Sequence, residues 1–248
     1  MRLVLNSKYE CLRTWLEWLP SGFDQSGEMV YDARNSIRSI VPQADGWGEE
    51  ALMVKRFHTP SFPNSLVYSF LREPKAVRAY NNAVNLLDRG IATPEPVAFV
   101  LCGGLLLKES YLVTRASGLS HLMREFTLAY RPELDALIRP FARFTARMHE
   151  AGVLHLDYSP GNILWDKKGD EYLFEVVDIN RMRIGRKVTL REGCKSMRRI
   201  CARTSFFREF ADEYARVRGY APAEAERWIL HYRDLFWDNG KKARYEYA

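Results

Sequence analysis

His155-Leu156-Asp157, with Asn162 five residues after the Asp and Asp178 sixteen further on, restricts this chain more than any other feature. Residues 163–165 are apolar and strand-like, and Asp166-Lys167-Lys168-Gly169-Asp170 is a turn signal. Residues 172–177 are β-branched and aromatic and read as a second strand. A hairpin here returns the chain to the end where it began, so Asn162 and Asp178 land side by side. One carbonyl oxygen, one carboxylate and a loop Asp close by suit a Mg-nucleotide site. Mg²⁺ prefers hard oxygen ligands and keeps positions open for phosphate oxygens. The plainer reading has Asp157 and Asn162 capping turns and Asp178 opening a loop. It leaves unexplained why all three sit where one metal can reach them.

The spacing resembles the catalytic loop and metal-binding Asp of protein-kinase-like folds. On that resemblance Asp157 orients the attacking hydroxyl and accepts its proton, and Asn162 and Asp178 are the metal ligands. His155 reads as a packed, hydrogen-bonded loop residue rather than a catalyst. Leu156 stands where regulated protein kinases carry an Arg, which argues against control by a phosphorylated activation segment. Ser159 stands where many protein kinases place Lys. Tyr158-Ser159-Pro160-Gly161-Asn162 is closer to small-molecule kinases, such as those acting on aminoglycosides and choline.

Upstream, Lys55 interrupts the apolar strand Leu52-Met53-Val54-Lys55-Arg56-Phe57 and resembles the strand lysine that contacts nucleotide phosphates. Strand alternation sets Lys55 opposite Val54 and Arg56, which favours Lys55 over its neighbour as the inward cation. No G-x-G-x-x-G loop precedes it. The turn Asp32-Ala33-Arg34-Asn35-Ser36 stands there instead. Arg34, Asn35 and Ser36 can reach phosphates, or they form an ordinary hairpin turn.

Strands lead and helices follow, which predicts an α+β, two-lobed architecture. Strands are expected at 28–32, 36–41, 51–57, 97–102 and 105–114, with a helix from Pro74 to Gly90. An amphipathic helix is expected over 134–151, ended by Gly152, and further helices from about Leu190. The division falls at an N-lobe of residues 1–114 and a C-lobe of 115–248.

The 248 residues, 47% of them hydrophobic, can bury a sizeable core. The formal charge of +6 favours anionic partners. No nucleic-acid motif accompanies that charge, so nucleic acid is not an expected partner. Cys11, Cys102, Cys194 and Cys201 lack C-x-x-C spacing and read as reduced thiols of a cytosolic protein. No long apolar stretch marks the N-terminus, so no signal peptide is expected. Residues 181–203 hold nine Lys and Arg against the single acid Glu192. Such a stretch suits a phosphorylated glycolipid or an anionic membrane surface, or is a solvated helix face.

Most of the chain resembles the bacterial lipopolysaccharide core kinases, the Kdo kinase group. The resemblance rests on residues 51–57, on Lys75-Ala76-Val77-Arg78-Ala79-Tyr80, and on 86–92 followed by Thr93-Pro94-Glu95-Pro96. Ser110-Tyr111-Leu112-Val113-Thr114 and His149-Glu150-Ala151-Gly152-Val153 complete it. It implies ATP with Mg²⁺ as donor and a sugar hydroxyl as acceptor, Kdo on lipid A foremost. It also implies a peripheral site on the cytoplasmic face of the inner membrane. The family's helix glutamate, which pairs the nucleotide lysine, is missing, and Ala79 occupies its place. Two other readings stand beside this one. A soluble aminoglycoside- or choline-type kinase would want an acidic cleft for its cationic substrate, against the basic 181–203 stretch. A pseudokinase binding module fits the missing Glu but not the retention of Lys55, Asp157, Asn162 and Asp178.

Overall fold

The computed structural model describes residues 1–57, 73–103, 107–125 and 132–237. The turn expected at Gly103-Gly104 and the strand start at Leu105 lie partly outside them. The chain forms two compact units. The first comprises Met1–Leu87 with Pro94–Ser117, and the second Asp88–Thr93 with the residues from Gly118 on.

The first unit is a six-stranded antiparallel sheet with helices on both faces. Its strands are β1 (Arg2–Leu5), β2 (Glu28–Asp32), β3 (Asn35–Ile40), β4 (Leu52–Phe57), β5 (Pro96–Gly103) and β6 (Leu107–Arg115), in the order β1-β5-β6-β4-β3-β2. Period-two alternation divides their side chains between two cores. Leu52, Val54, Ala98, Val100, Tyr111 and Val113 pack with Leu12, Trp15, Leu16, Leu19 and Phe23 of helix α1 (Arg13–Gly22) and its flanks. Phe57, Phe99 and Leu112 pack with Ala76, Val77 and Ala79 of helix α2 (Lys75–Asp88). The expectations above place no element in residues 1–27. Yet Leu12, Trp15, Leu16, Leu19 and Phe23 fall at the i, i+3, i+4, i+7 spacing of a buried helix face.

The second unit is mainly helical. Helix α3 (Ile138–Glu150) is preceded by a 3₁₀ segment over Pro132–Leu137. The α-helix starts later than the apolar pattern suggests. Pro140 has no N–H, and only the first turn leaves N–H groups without a helical partner, so it fits there. Gly152, at φ 72°, ends this stretch, and a Cβ there would lie 3.1 Å from the Arg186 carbonyl oxygen. The chain continues into β8 (Val153–His155) and then the hairpin β9 (Ile163–Lys168) and β10 (Glu171–Val176). The short strand β7 (His121–Leu122) joins the hairpin, and β11 (Met182–Ile184) pairs with β8. Helices α4 (Leu190–Met197), α5 (Thr204–Arg218) and α6 (Pro222–Trp237) follow.

Helix α5 packs on α3 through Phe210, whose ring lies 5.6 Å from Phe141 and 5.9 Å from Tyr214. At the edge of this contact Glu213, with a side chain only 4% exposed, accepts from Arg143 at 3.1 Å and Arg216 at 2.6 Å. The Arg216 hydrogen bond, with Arg143 assisting against burial, holds the Glu213 carboxyl down at about 2. The folded state therefore binds this proton more weakly than the unfolded chain. The stabilisation is complete above the ordinary carboxylate range and fades as pH falls toward about 2. Glu213→Gln is expected to cost about 2 kcal/mol at neutral pH. The gap between wild type and variant should narrow in urea unfolding repeated at successively lower pH. A gap that stays constant with pH would show that the carboxylate is not the source.

Candidate active site

The loop after β8 is fixed by hydrogen bonds within itself and to the segment that follows β10. His155 is buried, its Nδ1 accepts from the Asp157 N–H at 3.1 Å, and its Nε2 donates to the Val177 carbonyl at 3.2 Å. That pair of bonds requires the neutral tautomer with the proton on Nε2. Burial pushes the imidazole below its ordinary value, against the pull of the Val177 carbonyl and the carboxylates of Asp178 and Asp157. His155 thus joins the loop carrying Asp157 to the segment carrying Asp178.

Asn162 adds a second tie. Its side-chain Nδ2 donates to the Asp157 carbonyl at 2.9 Å, and its own carbonyl accepts from the Val177 N–H at 2.9 Å. With the donor end engaged, the amide oxygen is the end left for a cation. The ladder pairs Ile163 with Val176, so Asp178 emerges beside Asn162. Its φ of 51° is the left-handed conformation, rare outside glycine but tolerated by Asp and Asn. A carbonyl oxygen and a carboxylate are the hard donors that suit Mg²⁺, so the residues present fit the metal.

Two further anchors hold this frame. Thr93 of the Thr-Pro-x-Pro block is buried and donates to the Val176 carbonyl at 2.7 Å, while Val176 N–H donates to Ala92 at 3.0 Å. That block therefore braces the end of β10, two residues before Asp178. Tyr158 is fully buried and shares a 2.9 Å hydrogen bond with Thr145 of α3. Burial pushes its phenol up. It is a packing residue.

The side chain of Asp157 is not solitary. Arg199 forms a close ion pair with Oδ1, and Arg181 stands 4.0 Å from Oδ2. In the sequence both arginines belong to a stretch that looks like surface, because a partner 24 residues from Arg181 and 42 from Arg199 leaves no local signal. The stretch is divided. Arg183 is held by Glu192 at 2.6 Å, and Arg203 lies 3.6 Å from Asp135. Arg186, Lys187, Arg191 and Lys195 are exposed.

In the first unit, Lys55 shares its face of the sheet with Phe57, over whose ring its Nζ sits at 5.3 Å. Arg56 faces the opposite core, 4.5 Å over Phe23 and 2.8 Å from Asp24. Arg56 is thus engaged with the α1 side, and Lys55 is the cation on the α2 side. In the ladder Asn35 pairs with Phe57 and Ser36 with Arg56. Asn35 therefore lies on the Lys55 face. Ser36 lies on the other and donates to Asp32 at 2.7 Å. Arg34 is exposed at the turn between β2 and β3. Ala79 packs against Phe57 in the core under α2, where an acid would be needed to pair Lys55. Glu73 accepts from Asn81 at 2.9 Å.

The profile of the lipopolysaccharide kinase (Kdo/WaaP) family matches residues 25–210. Among solved structures, WaaP in complex with acyl carrier protein is similar over 99% of this chain and 100% of that one, with a TM-score of 0.63 and 20% identity. The kinase domain of Mycobacterium tuberculosis PknI, solved as a point mutant, aligns over 85% of this chain and 94% of that one, at a TM-score of 0.46 and 11% identity. Comparison with curated proteins found no match. The fold is protein-kinase-like and α+β, with an N-terminal sheet and a C-terminal helical region.

Proposed function

The chain belongs to the lipopolysaccharide kinase (Kdo/WaaP) family, and from that premise we propose that it transfers the γ-phosphate of ATP to a hydroxyl of Kdo on a lipid A precursor. The observation that carries this reading is the hydrogen-bonded frame of His155, Asn162 and Val177 around Asp157 and Asp178. In it the buried His155 ring, the Asn162 amide and the Val177 peptide hold the backbone that carries the base and the two oxygen ligands, and positioning supplies most of the catalysis in phosphoryl transfer.

Each residue then has a task. Asp157 orients the acceptor hydroxyl and takes its proton. Asn162 and Asp178 hold Mg²⁺, which when bound neutralises charge on the transferring phosphate. Lys55 takes the nucleotide phosphates, with Asn35 on its face and exposed Arg34 at the neighbouring turn as auxiliary donors. Ser36, expected to join them, is instead buried on the opposite face and given to Asp32. Lys55 works without a helix glutamate, since the place of that acid is filled by buried Ala79.

An anionic acceptor is favoured by Arg199 and Arg181 at Asp157. A cationic aminoglycoside would meet repulsion there, and a pseudokinase would have no use for so constrained a base. The exposed cations Arg186, Lys187, Arg191 and Lys195 suit an anionic leaflet. Among the described residues no helix is long and apolar enough to cross a membrane. The family reading and these exposed cations together support a peripheral enzyme on the cytoplasmic face of the inner membrane.

The test is transfer from labelled ATP to a Kdo-bearing lipid A precursor, with mass spectrometry of lipid A and core from a deletion strain. Label on the Kdo residue and loss of one phosphate in the strain are expected. No transfer, with unchanged lipid A and core, would overturn the acceptor and leave a kinase of this family acting elsewhere.

A further inference from the structure

A general base that rests in a close ion pair is held away from its work. Oδ1 of Asp157 is taken up by Arg199. A group that draws the arginine off frees that oxygen for an acceptor hydroxyl.

The surroundings of Arg199 show what that could be. A guanidinium carries five N–H donors in a rigid fork, suited to a planar oxyanion. Nη1 serves Asp157, whereas Nε is buried without a hydrogen-bond partner among the described residues. A buried donor left unmet is costly, and an incoming oxygen would relieve it. The guanidinium is stacked on an aromatic ring. Its carbon lies 5.4 Å over the ring of Phe236, and Arg198 lies 5.7 Å over the same ring. The connector between α4 and α5 that carries both arginines is tied to α6. Trp237 Nε1 donates to the Arg198 carbonyl at 3.0 Å, and Arg233 Nε donates to the Ala202 carbonyl at 2.8 Å. Positive charge is in excess locally, with Arg181, Arg198 and Arg199 around one carboxylate. Burial and the neighbouring Arg199 both lower the basicity of Arg198, as expected where cations crowd.

Resting on the sugar-kinase reading above, we propose that Arg199 recognises an oxyanion of the acceptor, a sugar carboxylate or a phosphate. On binding, it exchanges Asp157 for that group. The exchange frees the base only when an acidic acceptor is seated. Asp157 then takes the proton of the acceptor hydroxyl, the hydroxyl oxygen bonds to the γ-phosphorus, and the bond from that phosphorus to the bridging oxygen breaks, the electron pair leaving with ADP. Arg199 is thereby a specificity-determining residue and a brake on transfer to water.

The test compares wild type, Arg199→Gln and Arg199→Lys in two assays. The first measures kcat/KM for a Kdo-bearing lipid A precursor, for its Kdo methyl ester, and for the precursor stripped of lipid A phosphates. Wild type should prefer the acid over one of the altered acceptors by at least about tenfold, the loss of one charge-assisted hydrogen bond. Which acceptor suffers identifies the oxyanion. Arg199→Gln should lose that preference, and Arg199→Lys should retain part of it. The second assay measures ATP hydrolysis without acceptor. Arg199→Gln should hydrolyse ATP several-fold faster than wild type, because Asp157 is released toward water. An arginine with a merely structural role would slow both assays and leave the preference intact, and that result overturns the proposal. If wild type phosphorylates none of the acceptors, the Kdo reading falls and hydrolysis alone decides. Faster hydrolysis in Arg199→Gln then supports the brake, and an equal or slower rate overturns it.

Discussion

Asp178→Asn is expected to lower phosphoryl transfer by about 10³-fold or more, the loss that follows removal of a preorganised charge at the reacting phosphate. The substitution is well suited to isolating that charge. Asp178 sits at φ 51°, where Asn is as comfortable as Asp, so the backbone has no reason to move. The frame around it is made by hydrogen bonds among Asn162, His155, the Asp157 backbone and the Val177 peptide, and these do not use the Asp178 carboxylate. Turnover with labelled ATP should collapse while thermal unfolding still shows a cooperatively folded protein. Excess Mg²⁺ should restore little, because a neutral amide oxygen binds a hard cation far more weakly than a carboxylate. Asp157→Asn should also slow transfer, yet leave nucleotide binding near normal, since its task falls on the acceptor hydroxyl. Near-normal turnover of both variants would remove the kinase assignment of this loop.

Much of that frame is readable in the sequence, for a definite reason. The hairpin after Asn162 combines β-branched and aromatic strands with a Gly-Asp turn, and local chemistry of this kind fixes a register within a few residues. The strands run further than the sequence suggests because Lys167 and Lys168 remain on the ladder, opposite Tyr172 and Glu171. The face of Lys55 is readable too, because alternation in a strand with one face on each of two cores leaves only two choices. What escapes is tertiary. Strands β8 and β11 are three residues each, too short to show periodicity, and they exist because the loop backbone needs partners. Helix α1 carries a legible apolar face that Pro20 and the short 3₁₀ flanks obscure. The pairing of Arg199 with Asp157 has no local signature. A run of like charges looks solvated in a sequence, and only the fold shows which members find an acid.

Phe210→Ala is expected to be among the most destabilising single substitutions in the helical unit, at about 3–5 kcal/mol. Phe210 is fully buried, with ring centroids of Phe141, Phe206, Phe207 and Tyr214 at 5.6, 5.8, 6.1 and 5.9 Å. Truncation removes a side chain touched on several sides by rigid rings, which cannot collapse inward as aliphatic neighbours would. The cavity therefore persists and its cost adds to the lost transfer free energy. Helix α3, against which Phe210 packs, runs through Gly152 into β8 and the loop of Asp157, so the site rests on this contact. Its hydrogen bonds, however, lie within the loop and the hairpin. The variant should thus show a lower urea midpoint with an unchanged slope, and nearly unchanged turnover per folded molecule under conditions where it remains folded. Phe144, only partly buried and 5.4 Å from Phe174, should cost clearly less when cut to Ala. Equal losses at the two positions, or a Phe210→Ala midpoint close to wild type, would show that the α3–α5 aromatic contact does not carry the stability assigned to it.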